Sequence, residues 1–309
     1  MTHLSILRHS CFADHIVPIG HPERPDRIKV INAMLDQDFS DIPQSECPPA
    51  DMDHLHLVHT PAYVDAIFKA VPENGTVSLD ADTHMSPLSL KAALAGAGGA
   101  VEAARQVLTG ESERVFVASR PPGHHAEPEQ AMGFCLFSNA AIAAKYAIST
   151  HGLDRVAVVD FDVHHGNGTQ AAFWDQPDLL YASSHQMPLY PGTGAANERG
   201  AHDNIFNLPF AEGTGGAEIL SGWREQLLPA IADGHPDLIV ISAGFDAHED
   251  DPLGGLKLTT DDFYTLTRAI SELAAGCCSG RIVSVLEGGY ELNALGASVL
   301  AHLQVLAES

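Results

Sequence analysis

Four short hydrophobic segments of this chain each run into polar residues that can carry chemistry. They span residues 114–119, 155–159, 238–242 and 281–286, and histidine, aspartate or tyrosine follows each one within a few positions. Short apolar runs rich in valine, isoleucine and leucine are typical of buried strands in a parallel sheet. In an open parallel α/β sheet, ligands bind outside the carboxyl ends of the strands. The pattern therefore predicts an active site assembled from distant parts of the sequence.

Segments with helical spacing alternate with these strands. Two more short strands are expected at 3–8 and 179–183, and helices are expected at residues 27–35, 61–71, 88–108, 137–149, 217–233, 260–275 and 293–306. Asp26 and Thr60 are predicted helix caps, and residues 36–53, 72–87 and 186–217 are predicted to be loops or irregular. Alternating strands and helices indicate an α/β fold, a single domain over residues 1–309 with an open, mainly parallel β-sheet flanked by helices on both faces.

The composition restricts the range of partners. Sixteen lysines and arginines against 40 aspartates and glutamates give a net charge of −24. This balance disfavours nucleic-acid binding and is compatible with cationic ligands such as lysine-rich peptides or polyamines. The five cysteines are odd in number and lack CxxC spacing, so they indicate neither a disulfide framework nor a cysteine zinc site. We expect no membrane partner and a cytoplasmic location, because the chain has no apolar run of ~18 residues and no apparent signal peptide.

Asp162 and His164 form the most specific local signal. In an extended segment, side chains two positions apart point the same way and can bind one ion together. Asp246, at the end of another predicted strand, can supply a third ligand and leave a position open for water, as in catalytic metal sites. An Asp/His/Asp set suits Zn²⁺ but also Fe²⁺ or other divalent ions. If no metal binds, Asp162 and His164 would merely cap the next helix.

Two adjacent histidines, His124 and His125, follow a Pro-Pro-Gly turn and are suited to proton transfer because histidine titrates near neutrality. Asp160 and Asn167 are candidates for orienting their rings through the far nitrogen atoms. Asp160 could equally be a buried structural carboxylate. Tyr290, after two glycines at a strand end, could donate a hydrogen bond to a developing oxyanion.

Together these motifs resemble the histone deacetylase superfamily, which has the arginase–deacetylase fold. The matching segments are RPPGHHA (120–126), MGFCLF (132–137), DFDVHHGNGTQ (160–170), SAGFDAH (242–248) and LEGGY (286–290), with HPERPDR (21–27) near the N-terminus. Asn167 stands where class I members carry aspartate, and so resembles the class II and bacterial branch. The short chain is also typical of bacterial members.

The resemblance implies a zinc-dependent amidohydrolase that acts on acyl-lysine peptides or proteins, or on another acylated amine. Asp162, His164 and Asp246 would bind zinc, with Fe²⁺ possible in the cell. His125 would act as general base and then acid, with His124 as electrostatic partner, and Tyr290 would polarise the carbonyl. A structural K⁺ would lie behind the zinc, held by the carboxylate and carbonyl of Asp160, the carbonyls of Asp162, His164 and Ser184, and the Ser183 hydroxyl.

The resemblance also implies a substrate tunnel. Phe134 and Tyr190 would line it, although the family usually has phenylalanine at the second position, and the Gly133 carbonyl would meet the substrate amide. Asp82 lies in the loop where some members contact the substrate backbone. Arg27 matches an arginine of the internal product channel.

Three alternatives stay open. An acetylpolyamine deacetylase of the same superfamily can carry glutamate at the tunnel mouth; the matching residue here is Leu253, which favours acyl-lysine, unless Glu249, Asp250 or a partner subunit in a homo-oligomer supplies the carboxylate. A catalytically silent acyl-lysine-binding protein would lack part of the motif set, and all of it is present. A manganese ureohydrolase of the related fold would need more bridging carboxylates than the sequence offers.

Overall fold

An eight-stranded parallel sheet forms the centre of the molecule in the computed structural model, which describes residues 2–308. The strands are β1 (Thr2–Arg8), β2 (Gln44–Glu46), β3 (Val77–Ser78), β4 (His84–Met85), β5 (Ser112–Ala118), β6 (Val156–Asp160), β7 (Leu179–Gln186), β8 (Ile205–Phe210), β9 (Leu238–Ala243) and β10 (Ile282–Leu286). Their order in the sheet is β2-β1-β5-β10-β9-β6-β7-β8, and every neighbouring pair is parallel. Strands β3 and β4 form a separate antiparallel pair.

Helices flank this sheet. They are α1 (Asp26–Asp38), α2 (Met52–Leu55), α3 (Pro61–Lys69), α4 (Ser89–Thr109), α5 (Asn139–His151), α6 (Asn167–Phe173), α7 (Gly216–Gly222), α8 (Leu228–Asp233), α9 (Thr260–Cys277) and α10 (Leu292–Ala307). Helices α4 and α5 pack together over β5 and β6, whereas α10 packs on α1 and α9. The α/β architecture with a parallel sheet between helical layers is therefore confirmed. Within residues 2–308, no helix has the length and apolar character needed to cross a membrane.

The central strands are buried along their whole length. Every residue of β6, β9 and β10 is buried, as expected for strands covered by helices on both faces of a parallel sheet. This explains why their sequences are continuous apolar runs rather than alternating ones, and why they were recognisable in the sequence.

The edge strands were missed. Strand β2 lies in the predicted loop 36–53 and β8 in the predicted irregular region 186–217. The three residues of β2 are polar, and β8 contains Pro209, which lowers the apparent strand character of a segment and is tolerated at a sheet edge. Each of them pairs with a single strand of the sheet: β2 with β1, and β8 with β7.

Helix boundaries are mostly as predicted, with two differences. The Thr60 hydroxyl accepts a hydrogen bond from the Tyr63 amide at 3.3 Å, which confirms Thr60 as an N-cap. Asp26 is the first residue of α1 rather than its cap, which is Pro25. The predicted helix 217–233 contains a π-helical segment, Trp223–Leu227, between α7 and α8.

Candidate active site

Four adjacent strands supply the chemistry-bearing loops. Strands β5, β10, β9 and β6 are consecutive in the sheet, and all run in the same direction. Their carboxyl ends therefore lie at one edge, and the polar segments that follow them meet there. Strand order, which the sequence did not give, brings together residues that are more than 160 positions apart.

The metal-ligand candidates form one cluster. Ligand atoms of Asp162, His164 and Asp246 all lie within 4.8 Å of one another. Nδ1 of His164 is 3.1 Å from Oδ1 of Asp162 and 3.0 Å from Oδ2 of Asp246. The premise of an extended segment was wrong, because β6 ends at Asp160 and residues 162–164 form bends. The two side chains converge through this turn rather than through strand alternation.

These residues fit a divalent cation. Asp162 and Asp246 are fully or almost fully buried, so two carboxylates lie side by side away from water. Burial lowers the pKa of His164, but hydrogen bonds and charges from both carboxylates outweigh burial and raise that pKa to about 10. Burial and the charge of Asp162 raise the pKa of Asp246 to about 7. Such a concentration of negative charge favours a cation, and its nitrogen and oxygen donors suit zinc or iron.

The backbone leaves room for this cluster and orients it. The Gly288 amide donates to Oδ2 of Asp162 at 2.9 Å, and the Val163 amide donates to Oδ1 of Asp246 at 2.8 Å. A Cβ atom at position 288 would collide with both carboxylates, so only glycine allows the β10 loop to approach so closely. One oxygen of each carboxylate is thereby held in place.

The histidine pair lies beside the cluster. The rings of His124 and His125 are 4.0 Å apart between centroids. Nδ1 of His124 is 3.0 Å from Oδ2 of Asp160, and Nδ1 of His125 is 2.8 Å from Oδ1 of Asn167. Asp160 and Asn167, the two candidates for orienting the rings, thus each contact one of the histidines.

The two histidines differ in their electrostatic surroundings. Burial lowers the pKa of His124, but the charges of Asp162 and Asp160 outweigh burial and raise it well above the ordinary value. Burial and the neighbouring His124 and His164 lower the pKa of His125 well below it. A cationic and a neutral imidazole side by side are suited to electrostatic and proton-transfer roles, respectively.

Tyr290 lies in the loop after β10 and lines the same cavity as His125 and His164. Its ring meets the edge of Phe134 at 5.8 Å, and the guanidinium carbon of Arg27 lies 4.8 Å from the ring centroid. Arg27 is fully buried and donates to the carbonyl oxygens of Gly289 at 2.5 Å and Glu287 at 2.6 Å. Burial raises the pKa of Tyr290 well above its ordinary value despite the opposing charge of Arg27, so the phenol keeps its proton.

One cavity of about 240 Å³ joins these groups to the surface. All five predicted substrate-binding residues line it: Asp82, Gly133, Phe134, Tyr190 and Leu253. One metal-ligand candidate, His164, and the two catalytic candidates His125 and Tyr290 also line it. Leu189 completes the wall and was missed by sequence reasoning. Larger cavities elsewhere in the described part of the chain lie away from this cluster. The chemistry, rather than size, marks this cavity as the candidate active site.

Comparison with known proteins decides the family. Residues 21–306 match the family model described as histone deacetylase domain. The chain belongs to the histone deacetylase family. Members of this family are hydrolases that act on acylated lysine.

Relatives of this histone deacetylase family member occur in plants and bacteria. It is 41% identical to histone deacetylase 10, chloroplastic, of Oryza sativa subsp. japonica, over 81% of this chain and 60% of that protein. It is 39% identical to the histone deacetylase-like amidohydrolase of Pseudomonas aeruginosa, over 88% of this chain and 73% of that protein. The crystal structure of the HDA15 HD domain superimposes with a TM-score of 0.93 at 34% identity, covering 99% of this chain and 90% of that one.

The residues named for potassium lie at and after the end of β6, which is Asp160, and within β7, which contains Ser183 and Ser184. Ser183 pairs with Asp160 across these strands. Oδ1 of Asp160 accepts from the Asp162 amide at 3.1 Å, and the Ser183 hydroxyl lies 2.9 Å from Nδ1 of His185. The Ser184 hydroxyl accepts from the indole of Trp223 at 2.8 Å. The side chains of Asp160 and Ser183 already have protein partners, so a K⁺ there stays a prediction.

Sequence reasoning missed several residues that support the candidate site. Glu287 directly follows β10, so the rule that selected Tyr290 could also have found it. Its Oε2 accepts from the amides of Gly123 at 2.6 Å and His124 at 3.1 Å, and burial raises its pKa to about 7. Glu127 accepts from Nδ2 of Asn167 at 2.7 Å, which fixes the amide that faces His125. No sequence signal indicated this contact.

Proposed function

We propose that this chain is a metal-dependent amidohydrolase that removes acetyl or other acyl groups from N-acyl-lysine side chains. The observation that carries the proposal is the single cavity that has His125, His164 and Tyr290 at its inner end and aromatic and aliphatic walls toward the surface. A narrow apolar channel ending at a polar cluster fits an acylated alkylamine, whose chain is apolar and whose reacting amide is polar.

Asp162, His164 and Asp246 would hold the metal, with Zn²⁺ as our proposal and Fe²⁺ as an alternative that the same donors allow. A divalent ion bound there supplies Lewis-acid polarisation of the acyl carbonyl and makes a water more acidic. The protein's own contribution is the placement of the three ligands, two of which, Asp162 and Asp246, accept hydrogen bonds from main-chain amides of two loops.

His125 would move the proton. The Asn167 amide oxygen accepts from its Nδ1, and this arrangement leaves Nε2 free to take a proton from the attacking water and then give it to the departing amine. Glu127 supports this assignment, because its acceptance from Nδ2 of Asn167 turns the amide oxygen toward the imidazole. His124, charged and paired with Asp160, would stabilise the anionic transition state without transferring the proton.

Tyr290 would stabilise the oxyanion. Its raised pKa keeps it a hydrogen-bond donor over the working pH range. A donor aimed at the position where negative charge develops lowers the barrier more than one that binds the ground-state carbonyl. Arg27 lies against the Tyr290 ring and adds positive charge nearby. Its position beside the catalytic candidates is what supports the proposal that it lines a product channel for the released carboxylate.

The outer residues would recognise the substrate. Phe134 and Tyr190 would pack on the alkyl chain, the Gly133 carbonyl would accept from the amide N–H, and Asp82 would face the peptide backbone. A K⁺ bound by Asp160, Asp162, His164, Ser183 and Ser184 would stiffen the loop that carries two of the metal ligands. A cytoplasmic location and a homo-oligomeric state belong to the same proposal.

Acetylpolyamines are the second candidate substrates, favoured by the net charge of −24 and by Asp82 in the cavity wall. The test is a turnover panel with zinc-loaded protein on an acetyl-lysine peptide, a trifluoroacetyl-lysine peptide, N-acetylputrescine and N8-acetylspermidine. We expect the lysine peptides to be preferred. A preference for the polyamines would replace the first proposal with the second, and no turnover of any of them would refute both.

A further inference from the structure

We propose that Asp251 is a positioning residue that couples the catalytic tyrosine to the mouth of the substrate cavity. The inference rests on the proposed deacetylase function and adds a residue that neither touches the substrate nor belongs to the metal cluster. Its basis is one buried carboxylate that holds the main chain of two separate loops.

The first loop is the one that carries Tyr290. Oδ2 of Asp251 accepts from the Tyr290 amide at 2.7 Å and from the Glu291 amide at 3.3 Å. The preceding residue, Gly289, has φ of +119°, a conformation that side-chain-bearing residues rarely adopt. This glycine gives the chain wide freedom just before the tyrosine, so the carboxylate supplies the restraint that glycine does not.

The second loop forms the rim of the cavity. Oδ1 of Asp251 accepts from the Leu253 amide at 3.0 Å, the i to i+2 contact of an Asx turn. Leu253 lines the cavity at the position where a glutamate would favour polyamines. The Asp251 amide in turn donates to the His248 carbonyl at 3.0 Å, and this bond anchors the turn to the loop after β9.

The burial of the Asp251 carboxylate indicates a specific structural role. Asp251 is 7% exposed, and a carboxylate in such a place is costly unless hydrogen bonds compensate for lost water. Three main-chain amides do so here, and they come from both loops at once. A displacement of the carboxylate would therefore move the catalytic phenol and the selectivity residue together.

Asp251→Asn tests this coupling, because an amide has one acceptor oxygen and its NH₂ group would face a main-chain donor. We expect stoichiometric zinc to be retained and kcat on the acetyl-lysine peptide to fall about 10- to 100-fold, as for a catalytic group misplaced by up to about 1 Å. We also expect the ratio of kcat/KM for acetyl-lysine peptide to that for N8-acetylspermidine to change, because Leu253 moves as well.

Asp262→Asn is the matched control. Asp262 also holds main chain, through Oδ2 accepting from the Thr259 amide at 2.8 Å, but at the start of α9 outside the cavity lining. We expect it to lower the melting temperature and to leave kcat and the substrate ratio unchanged. If Asp251→Asn also lowers only the melting temperature, Asp251 is a structural residue and the inference is wrong.

A double-mutant cycle with Tyr290→Phe separates positioning from a general loss of activity. If Asp251 acts through the phenol, Asp251→Asn should change kcat by no more than about twofold in the Tyr290→Phe background, since coupled residues are not additive. An equal loss in both backgrounds would overturn the inference.

Asp251→Glu, which keeps both oxygens but shifts them by one methylene, replaces Asp251→Asn in the cycle if the latter does not fold. Absence of wild-type turnover would instead refute the proposed function and this inference together.

Discussion

The inner end and the mouth of the candidate cavity are built differently. The inner end, consisting of His125, His164 and Tyr290, is at most 9% exposed. The mouth, consisting of Asp82 and Leu253, is half-buried, and Tyr190, whose ring centroid lies 5.2 Å from that of His125, is 38% exposed. The inner residues follow strands at the centre of the sheet, whereas the mouth residues lie in loops without regular structure.

From this difference we expect the inner end to carry out the reaction and the mouth to select the substrate. At the inner end, charged and polar groups are buried, so each needs partners, and those partners fix its position. At the mouth, water satisfies polar groups, so a side chain can change without leaving a buried group unpaired. We expect substitutions at the inner end to remove activity and substitutions at the mouth to redirect it.

The largest expected effect is that of Asp246→Ala. Removing one of three ligands should weaken metal binding by more than about 100-fold, because even residues behind a ligand contribute up to that factor, and turnover should be lost. Zinc content after dialysis and turnover on acetyl-lysine peptide are the measurements, with Asp250→Ala on the exposed neighbour as control for folding and metal content. Stoichiometric zinc in Asp246→Ala would show that a different residue is the third ligand.

A second substitution tests what supports the inner end. Glu23 is fully buried and accepts from Nε of Arg120 at 2.5 Å and from Nη1 of Arg27 at 3.0 Å. Glu23→Gln leaves two buried guanidinium groups without their counter-charge, so we expect a loss of about 3–5 kcal/mol in the free energy of unfolding. Urea denaturation measures it. Glu102→Gln, which breaks a half-exposed pair with Arg105, should cost at most about 1 kcal/mol.

The difference in the free energy of unfolding between wild type and Glu23→Gln should depend on pH, with a definite sign. Burial opposes ionisation of Glu23, but the charge of Arg120 and a hydrogen bond with His15 hold its pKa well below the usual range. A carboxylate whose pKa is lower in the folded state stabilises the protein above its unfolded pKa, and this contribution is lost as the pH falls toward the folded value. The stability gap between wild type and Glu23→Gln should therefore narrow below about pH 4. A gap independent of pH would argue against the ion pair as its source.

Tyr290→Phe should lower kcat about 10²–10³-fold, the usual cost of losing an oxyanion donor. Zinc should remain bound, because the phenol is outside the ligand cluster. Tyr264→Phe, which removes a hydroxyl that pairs with Glu308 at the surface, is the control and should keep normal turnover. Near-normal turnover of Tyr290→Phe would exclude the phenol from the mechanism.

The smallest effect is expected at the mouth. Leu253→Glu should raise turnover of N8-acetylspermidine relative to acetyl-lysine peptide by about 5- to 10-fold, as a partly exposed ion pair contributes about 1 kcal/mol. Leu253→Gln, similar in size and uncharged, is the control for shape. If both variants give the same ratio, charge at this position does not select the substrate.

The sequence by itself determined the central strands, most helices and the identity of the inner residues. Continuous apolar runs followed by DFDVHH, GFD or GGY are local signals, because the apolar residues of a buried central strand and the polar residues that follow it are neighbours in the sequence. The edge strands β2 and β8 lacked that signal, since only one neighbour pairs with each of them.

Only the tertiary structure decided which groups meet. Strand order β5-β10-β9-β6 brings the four loops to one edge, and a turn rather than an extended segment joins Asp162 to His164. The supporting carboxylates Glu127 and Asp251 had no local signal in the sequence, because their role depends on main-chain and side-chain donors that come from distant segments. Hydrogen bonds between distant segments depend on orientation at the ångström scale, which a pattern of residue types does not specify.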